Sequence, residues 1–442
     1  MSGNSQFAYY LQLALRSFKR NKVLTALMVL AIALGIGAAM TTLTVFYVLS
    51  GDPLPGHSQN LYQPRLDPQS MTGYIPGAEP PDALSRLDAQ ALLRDARGDR
   101  QALMTGGNVA IEPRRDNLPA FRQNSRFASA DFFPMFQVPF VYGAPWTAKD
   151  DASRARVAVI GKKLNERLFG GANSVGKTIW ADNYELRVIG VIDDWHPQPN
   201  FYDLTMERGF GESEQLFVPF NSSRDMRMAP QGSISCWGDS SELPEKNRDS
   251  NAKCIWMQYW VQLNTPEKTA AYRRYLDNYV AQQRAAGIYV RPTAAKLDNV
   301  MEWLAYKRVV PADVRLQMWL AFGFLAVCLL NTVGLLLAKF LRRSGEIGVR
   351  RALGAPKRAI FAQCLVEAGS IGLAGGLLGL LLAQFGLWAV RQQSVGYAGL
   401  AKLDPTMLAT TFVLAVAASV LAGLLPAWRA CQVTPAIQLK SQ

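Results

Sequence analysis

The sequence predicts a membrane protein of four transmembrane α-helices with a large α+β domain inserted between the first and the second. Three observations predict it: four uncharged apolar stretches, a strong bias in where the basic residues lie, and short strand- and helix-patterned segments between the first two stretches. The chain has 442 residues, of which 49% are hydrophobic and 18% charged. Ordinary soluble domains carry about 25% charge. The uncharged stretches are Val23–Leu49, Leu316–Ala338, Ala368–Val390 and Pro405–Trp428. Each exceeds the roughly 20 residues that cross a bilayer. A wholly soluble protein, a disordered chain, a collagen and a disulfide-dense miniprotein are thereby excluded.

The orientation follows from charge. The formal net charge is +13, with 47 Lys and Arg against 34 Asp and Glu. Three short segments hold almost all of the excess: Met1–Leu24 carries +4, Lys339–Arg358 carries +6 and Pro426–Gln442 carries +2. The remainder holds 34 basic and 33 acidic residues. Basic residues beside membrane spans mark the cytoplasmic side. Both termini are therefore expected in the cytoplasm and the large domain outside. Nucleic acid is excluded as a partner, because the large domain keeps no basic patch.

The expected segments run in order. Residues 1–22 form a cytoplasmic amphipathic helix, with Phe7, Tyr10, Leu11, Ala14 and Phe18 on one face, suited to the membrane surface. Residues 23–49 are the first span; 27 uncharged residues are too long for a signal-peptide core of about 7–15. Residues 50–315 are the outer domain and 316–338 the second span. Residues 339–358 are a cytoplasmic loop and helix, and 359–390 the third span. Residues 391–404 are a short outer loop, 405–428 the fourth span and 429–442 a cytoplasmic tail. Gly35 and Gly37 in the first span, and Gly372, Gly375, Gly376 and Gly379 in the third, are small residues that let helices approach closely. Glu367 is expected to pair with a basic neighbour near the inner interface, and Asn331 to hydrogen-bond between helices.

Within the outer domain, Pro53–Pro81 reads as an irregular lead-in. Arg156–Gly161 reads as a buried strand and Lys162–Gly170 as a short helix stopped by glycine. Lys177–Asp194 reads as two strands around an Asp182–Asn183 turn. Ile255–Asn264 reads as a strand, Pro266–Ala286 as a helix and Gly287–Pro292 as a further strand. Cys236 and Cys254 are 18 residues apart and bracket a polar stretch. The oxidising space outside the inner membrane favours a disulfide between them, worth roughly 3 kcal/mol by loop entropy.

Gly171–Thr178 reads GANSVGKT and fits the P-loop pattern letter for letter. The phosphate-binding mechanism needs a strand before the loop and a helix after it. Here a helix precedes and a strand follows, so the expected reading is a glycine turn with a solvated Lys177. His57 and His196 lie in Pro-rich loops, and Asp193, Asp194 and His196 read as a solvated turn rather than a metal site. No catalytic, cofactor-binding or metal residues are assigned, and the chain is read as not an enzyme.

The cytoplasmic loop is more informative. Ser344 is a candidate N-cap and Glu346 sits in the first turn. Glu346 and Arg350 form an i,i+4 pair, Val349, Ala352 and Leu353 share a face, and Gly354 with Pro356 stops the helix. A bare positive-inside loop explains the arginines but not a bounded amphipathic helix.

EIGVRRALGAPKRAI (Glu346–Ile360) with LVEAG (Leu365–Gly369) resembles the core of FtsX-like permeases of ABC transporters. Ala422–Lys440 is similar to their closing segment and Ala14–Ala39 to their first span. Ser129–Phe136, Val157–Gly171, Val175–Asp194 and Gln215–Phe220 resemble the periplasmic core of macrolide-exporter (MacB-like) permeases. The resemblance implies a type VII, mechanotransmitting permease of the bacterial inner membrane, with a periplasmic outer domain. It implies two permease chains, as homo- or heterodimer, each docked on a cytoplasmic ABC ATPase that binds ATP and Mg. No ATPase domain precedes the first span here, so a separate subunit is expected to supply it. Glu346, Ile347, Val349, Arg350, Arg351, Leu353 and Gly354 would form the ATPase-coupling helix. A periplasmic membrane-fusion adaptor is a further partner the resemblance admits. Efflux is the leading reading; lipoprotein release and peptide sensing through an ATPase are the alternatives.

Overall fold

The computed structural model describes residues 22–113, 118–205, 209–211, 213–237, 253–393 and 405–432. Contacts divide the chain into two compact units: Met1–Ser50 with Val310–Gln442, and Gly51–Val309. The amphipathic N-terminal helix, most of the second outer loop and the C-terminal tail expected from the sequence lie outside the described residues.

Helix α1 spans Lys22–Ser50. The 51–309 unit then alternates short strands and helices. Its elements are β1 (Leu61–Arg65), β2 (Leu84–Ser85), α2 (Arg86–Asp95), β3 (Arg100–Ile111), β4 (Phe121–Ala128), α3 (Phe132–Met135), β5 (Phe140–Gly143) and α4 (Ala148–Ala152). They continue with β6 (Val157–Gly161), α5 (Lys162–Phe169), β7 (Thr178–Ala181), β8 (Tyr184–Ile192), β9 (Leu216–Pro219) and α6 (Phe220–Asp225). They close with β10 (Pro230–Gln231), β11 (Ser235–Cys236), β12 (Cys254–Gln262), α7 (Pro266–Ala285), β13 (Lys296–Asn299) and α8 (Val300–Tyr306). The main sheet path runs β13-β1-β12-β3-β4-β9-β6-β8-β5. It is mixed: β4 pairs with β9, and β6 with β8, in parallel.

Period-two alternation puts apolar side chains on both faces of this sheet. Along β6, Ala158 and Ile160 enter one core, while Val157 and Val159 enter the other. Along β3, Leu103, Val109 and Ile111 face the first core, and Ala102 and Met104 the second. Tyr272 and Leu276 of α7 complete the first core. The second is aromatic, with Phe132, Phe133, Phe136, Phe201, Trp260 and Trp303 among its members.

Two sequence expectations change here. The Pro-rich lead-in is not wholly irregular: Leu61–Arg65 is an inner strand paired with β12 and β13. Gly287–Pro292 is not a strand. Its Arg291 guanidinium instead donates to the carbonyls of Ser70 and Thr72 and to Gln69, and the strand falls at β13. The β7–β8 turn matches expectation, with Asp182 at φ 48° and Asn183 at φ 65°, the left-handed pair a two-residue hairpin requires.

The second unit continues with α9 (Ala312–Arg342), α10 (Ser344–Ala352), α11 (Lys357–Arg391) and α12 (Pro405–Cys431). Among the described residues, α1, α9 and α11 are long and apolar enough to cross a membrane. Helix α12 has 27 residues and an apolar stretch at Val416–Arg429. Close approach is set by glycine. A methyl carbon at Gly35 would lie 2.8 Å from Leu325 Cδ1 of α9, and one at Gly37 would lie 2.8 Å from Leu382 Cβ of α11. Equivalent atoms at Gly375 and Gly379 would press on Ile32 and Ile36 of α1 at 2.7 and 3.1 Å. Gly372 and Gly376 are buried on the same helix.

Candidate functional site

Helix α10 is bounded tightly. Only Arg343 separates it from α9, and Gly354 follows its end at φ +96°. Ser344 is not the N-cap. An N-cap needs extended backbone, but Arg343 occupies that position at φ −100°, ψ 10° with no side-chain cap. Because α9 runs on to Arg342, Ser344 already lies in the first helical turn.

The helix turns Glu346, Ile347 and Arg350 toward the neighbouring helices and leaves Val349 outward. Ile347 packs partly buried against the helical core and Gly348 is buried. Val349 is 56% exposed and Leu353, just past the last turn, is 83% exposed. Glu346 Oε1 lies 3.0 Å from Arg350 Nη2, and Glu346 Oε2 lies 3.4 Å from Arg343 Nε. Arg350 Nη1 donates to Gln363 Oε1 of α11 at 3.2 Å.

Glu367 of α11 is buried and meets two cations. Lys339 Nζ stands 2.7 Å from its Oε1, and Arg343 Nη1 stands 3.2 Å from its Oε2. The Lys339 side chain is itself fully buried and reaches Thr25 Oγ1 of α1 at 3.4 Å. The sequence flags Glu367 as an acid in an apolar run, but not its partners, which lie 28 and 24 residues earlier. Asn331 is exposed on α9 and forms no hydrogen bond between helices among the described residues.

The remaining sequence-flagged residues fall in the 51–309 unit. Cys236 and Cys254 are paired opposite one another on β11 and β12 and joined by a disulfide, with Cα atoms 4.1 Å apart. The P-loop-like segment lies between α5 and β7, with left-handed glycines at Gly170, Gly171 and Gly176. Lys177 is not simply solvated: its Nζ sits 5.0 Å over the Phe169 ring. Asp193 and Asp194 diverge. Asp193 pairs with Lys162 at 3.0 Å, whereas Asp194 pairs with His196, whose Nδ1 is hydrogen-bonded to Ser213 Oγ at 2.6 Å. Ser213 is buried, so this line ties the segment after β8 to the one before β9 and presents no accessible nucleophile. His57 Nε2 is held by the Met135 carbonyl at 2.9 Å.

Sequence reading also misses a buried ion cluster. Arg126 of β4 pairs with Asp203 at 2.6 Å and with Glu214, and Tyr202 donates its hydroxyl to Glu214 at 2.8 Å. Burial disfavours the Arg126 charge, but Glu214 and Asp203 outweigh it and hold its pKa above the ordinary value. The Tyr202 hydroxyl is raised by burial and by Glu214.

Comparison with known proteins sets these features in a family. Residues 25–279, more than half of the chain, match the MacB-like periplasmic core domain. Residues 318–435 match the FtsX-like permease C-terminal model. The chain is 26% identical to a macrolide export ATP-binding/permease protein, MacB, of Marinobacter nauticus, over 98% of this chain and 60% of that protein. It is 23% identical to a pyoverdine export ATP-binding/permease protein, PvdT, of Pseudomonas fluorescens, over 84% of this chain and 50% of that one. It thus spans about half to three-fifths of the length of these relatives. A solved structure of the periplasmic region of MacB from Actinobacillus actinomycetemcomitans aligns with 56% of this chain and 92% of its own, at 14% identity and a TM-score of 0.35.

Proposed function

The chain belongs to the ABC-type permeases of the MacB/FtsX family, and on that premise we propose that it is the non-catalytic transmembrane subunit of an extrusion transporter. Four spans carry it through the bacterial inner membrane, with both termini in the cytoplasm and the 51–309 unit in the periplasm. The clustering of basic residues in Met1–Leu24, Lys339–Arg358 and Pro426–Gln442 supports that orientation. A separate ATPase subunit binds ATP and Mg, two permease chains pair, and closure of the ATPases is transmitted through the spans to the periplasmic units.

The observation that carries this reading is α10. It leaves Val349 and Leu353 exposed while Glu346 and Arg350 are engaged with Arg343 and with Gln363 of α11. An apolar pair on a nine-residue basic helix suits the groove of a soluble partner better than open cytosol. Burying one leucine contributes about 1.5–3 kcal/mol, or roughly tenfold to a hundredfold in affinity. Leu353→Asp is therefore expected to weaken ATPase association at least tenfold while the chain still inserts normally. Co-purification and titration of the ATPase onto detergent-solubilised permease measure this. Unchanged association would reduce α10 to a connector.

A further inference from the structure

We propose that Arg343 and Glu367 form a releasable latch that positions α10, while Lys339 is the permanent counterion that lets the latch open. The proposal rests on the reading of α10 as the ATPase-docking helix, and it concerns what holds that helix in place.

The geometry separates two roles for the two cations. Lys339 lies in the last turn of α9 and is fully buried, 2.7 Å from Glu367 Oε1. Arg343 is the single residue between α9 and α10, its side chain 19% exposed, 3.2 Å from Glu367 Oε2. Each oxygen of one carboxylate thus serves a different cation. The contacts then run back to α11. Arg343 meets Glu346, Glu346 meets Arg350, and Arg350 meets Gln363, one helical turn before Glu367. This ring of polar contacts ties the inner side of α10 to α11 and leaves Val349 and Leu353 outward.

The energetics make the two cations unequal. Removing the sole partner of a buried charge leaves it uncompensated away from water, which strongly destabilises the fold. If Arg343 were the only cation on Glu367, α10 could not pivot without stranding a carboxylate. With Lys339 fixed beside it, Glu367 stays paired when Arg343 leaves. Release then gives up the Arg343–Glu367 contact, and Arg343 is partly exposed already. The hinge is one residue long, so the swing of α10 is set by whether Arg343 is engaged. An ATPase pulling on the outward face of α10 would open this latch and leave the α9–α11 contact intact.

The test places spin labels at Val349→Cys and Leu377→Cys, both exposed positions, in chains whose Cys328, Cys364 and Cys431 are changed to Ala. The labelled chain is diluted with unlabelled chain in nanodiscs, and no ATPase is added. The parent is expected to give one narrow inter-label distance. Arg343→Gln should broaden that distribution to more than twice its width and leave the melting temperature near the parent's. Arg343→Lys should restore much of the narrowness. The double variant Lys339→Met/Glu367→Gln removes both buried charges together and should broaden the distance just as Arg343→Gln does. Lys339→Met alone strands the carboxylate and should lower the melting temperature. Narrow, parent-like distances in both Arg343→Gln and the double variant would overturn the latch. So would a loss of melting temperature in Arg343→Gln with no change in distance. Because no ATPase is present, these outcomes are separate from the Leu353→Asp test of docking.

Discussion

Arg126 in the 51–309 unit and Lys339 in the helical unit are both almost completely buried cations held by carboxylates, yet the two clusters are balanced in opposite senses. Around Arg126, the described ion pairs give two acids to one cation, and both acids come from one segment, Asp203 and Glu214. Around Glu367, they give two cations to one acid, contributed by the end of α9 and the hinge after it. Among the described residues the first arrangement has no second cation, so moving Arg126 strands negative charge. The second has a spare, partly exposed cation. Charge balance therefore distinguishes a fixed bracket from a contact that can be exchanged, where burial alone would rank the two alike.

The largest expected effect tests the fixed bracket. Arg126→Met leaves Asp203 and Glu214 facing each other without a cation, inside a core that includes Tyr202. Unpairing a buried charge costs about 3–5 kcal/mol, so the variant should unfold the 51–309 unit at much lower denaturant. Hydrogen exchange on β4 and β9 of the full chain measures it. A cost below about 1 kcal/mol would mean that the cluster is solvated and the contrast with Glu367 is void.

Asp151 sharpens the comparison because it is a buried carboxylate with no cation among its described partners. It accepts only the Asn221 backbone N–H at 2.8 Å. Burial pushes its pKa up to about 6, the backbone hydrogen bond offsetting part of the rise. The unfolded chain titrates near the ordinary aspartate value of about 3.9. Its folded pKa is raised, so the associated stability is fully present below about pH 4. That stability is lost as pH rises through about 6, to a total on the order of 3 kcal/mol. Asp151→Asn keeps an acceptor for Asn221 and removes the charge. It should stabilise the 51–309 unit at pH 7.5 and flatten the fall between pH 4 and 6.5, read by melting across that range. A pH profile identical to the parent's would show that water reaches Asp151.

These buried carboxylates also show what sequence carries and what it does not. The long apolar helices, the basic segments beside them, the β7–β8 turn and the glycines that let helices approach closely follow from composition, period and local turn chemistry, which neighbouring residues determine. Arg126 and its acids are 77 and 88 residues apart, and no local pattern links them. Strand β1 is hidden because Pro64 breaks its pattern, although the sheet tolerates it beside β13. The Ser344 cap fails for a similar reason: a cap is a backbone conformation, and it is set by how far α9 continues. Glu367 was legible as an anomaly, a charge in an apolar run, while the identity of its partners depended on which helix ends meet.

The smallest expected effect comes from the exposed end of the same ring. Glu346 is an intermediate-exposure carboxylate shared between Arg343 at 3.4 Å and Arg350 at 3.0 Å. Exposed i,i+4 pairs contribute about 0.2–0.5 kcal/mol and are screened by salt. Glu346→Gln should therefore leave the melting temperature of the helical unit within the scatter of the parent. Its effect should lie in position instead, because the glutamine still offers an oxygen to Arg343 but no longer carries charge between it and Arg350. If the ring positions α10, the inter-label distance described above should broaden modestly in Glu346→Gln, less than in Arg343→Gln, and the difference from the parent should shrink as salt rises. If the distance follows melting temperature across Glu346→Gln, Arg343→Gln and Lys339→Met, the ring is only part of the packing, and the two buried clusters differ in composition but not in kind.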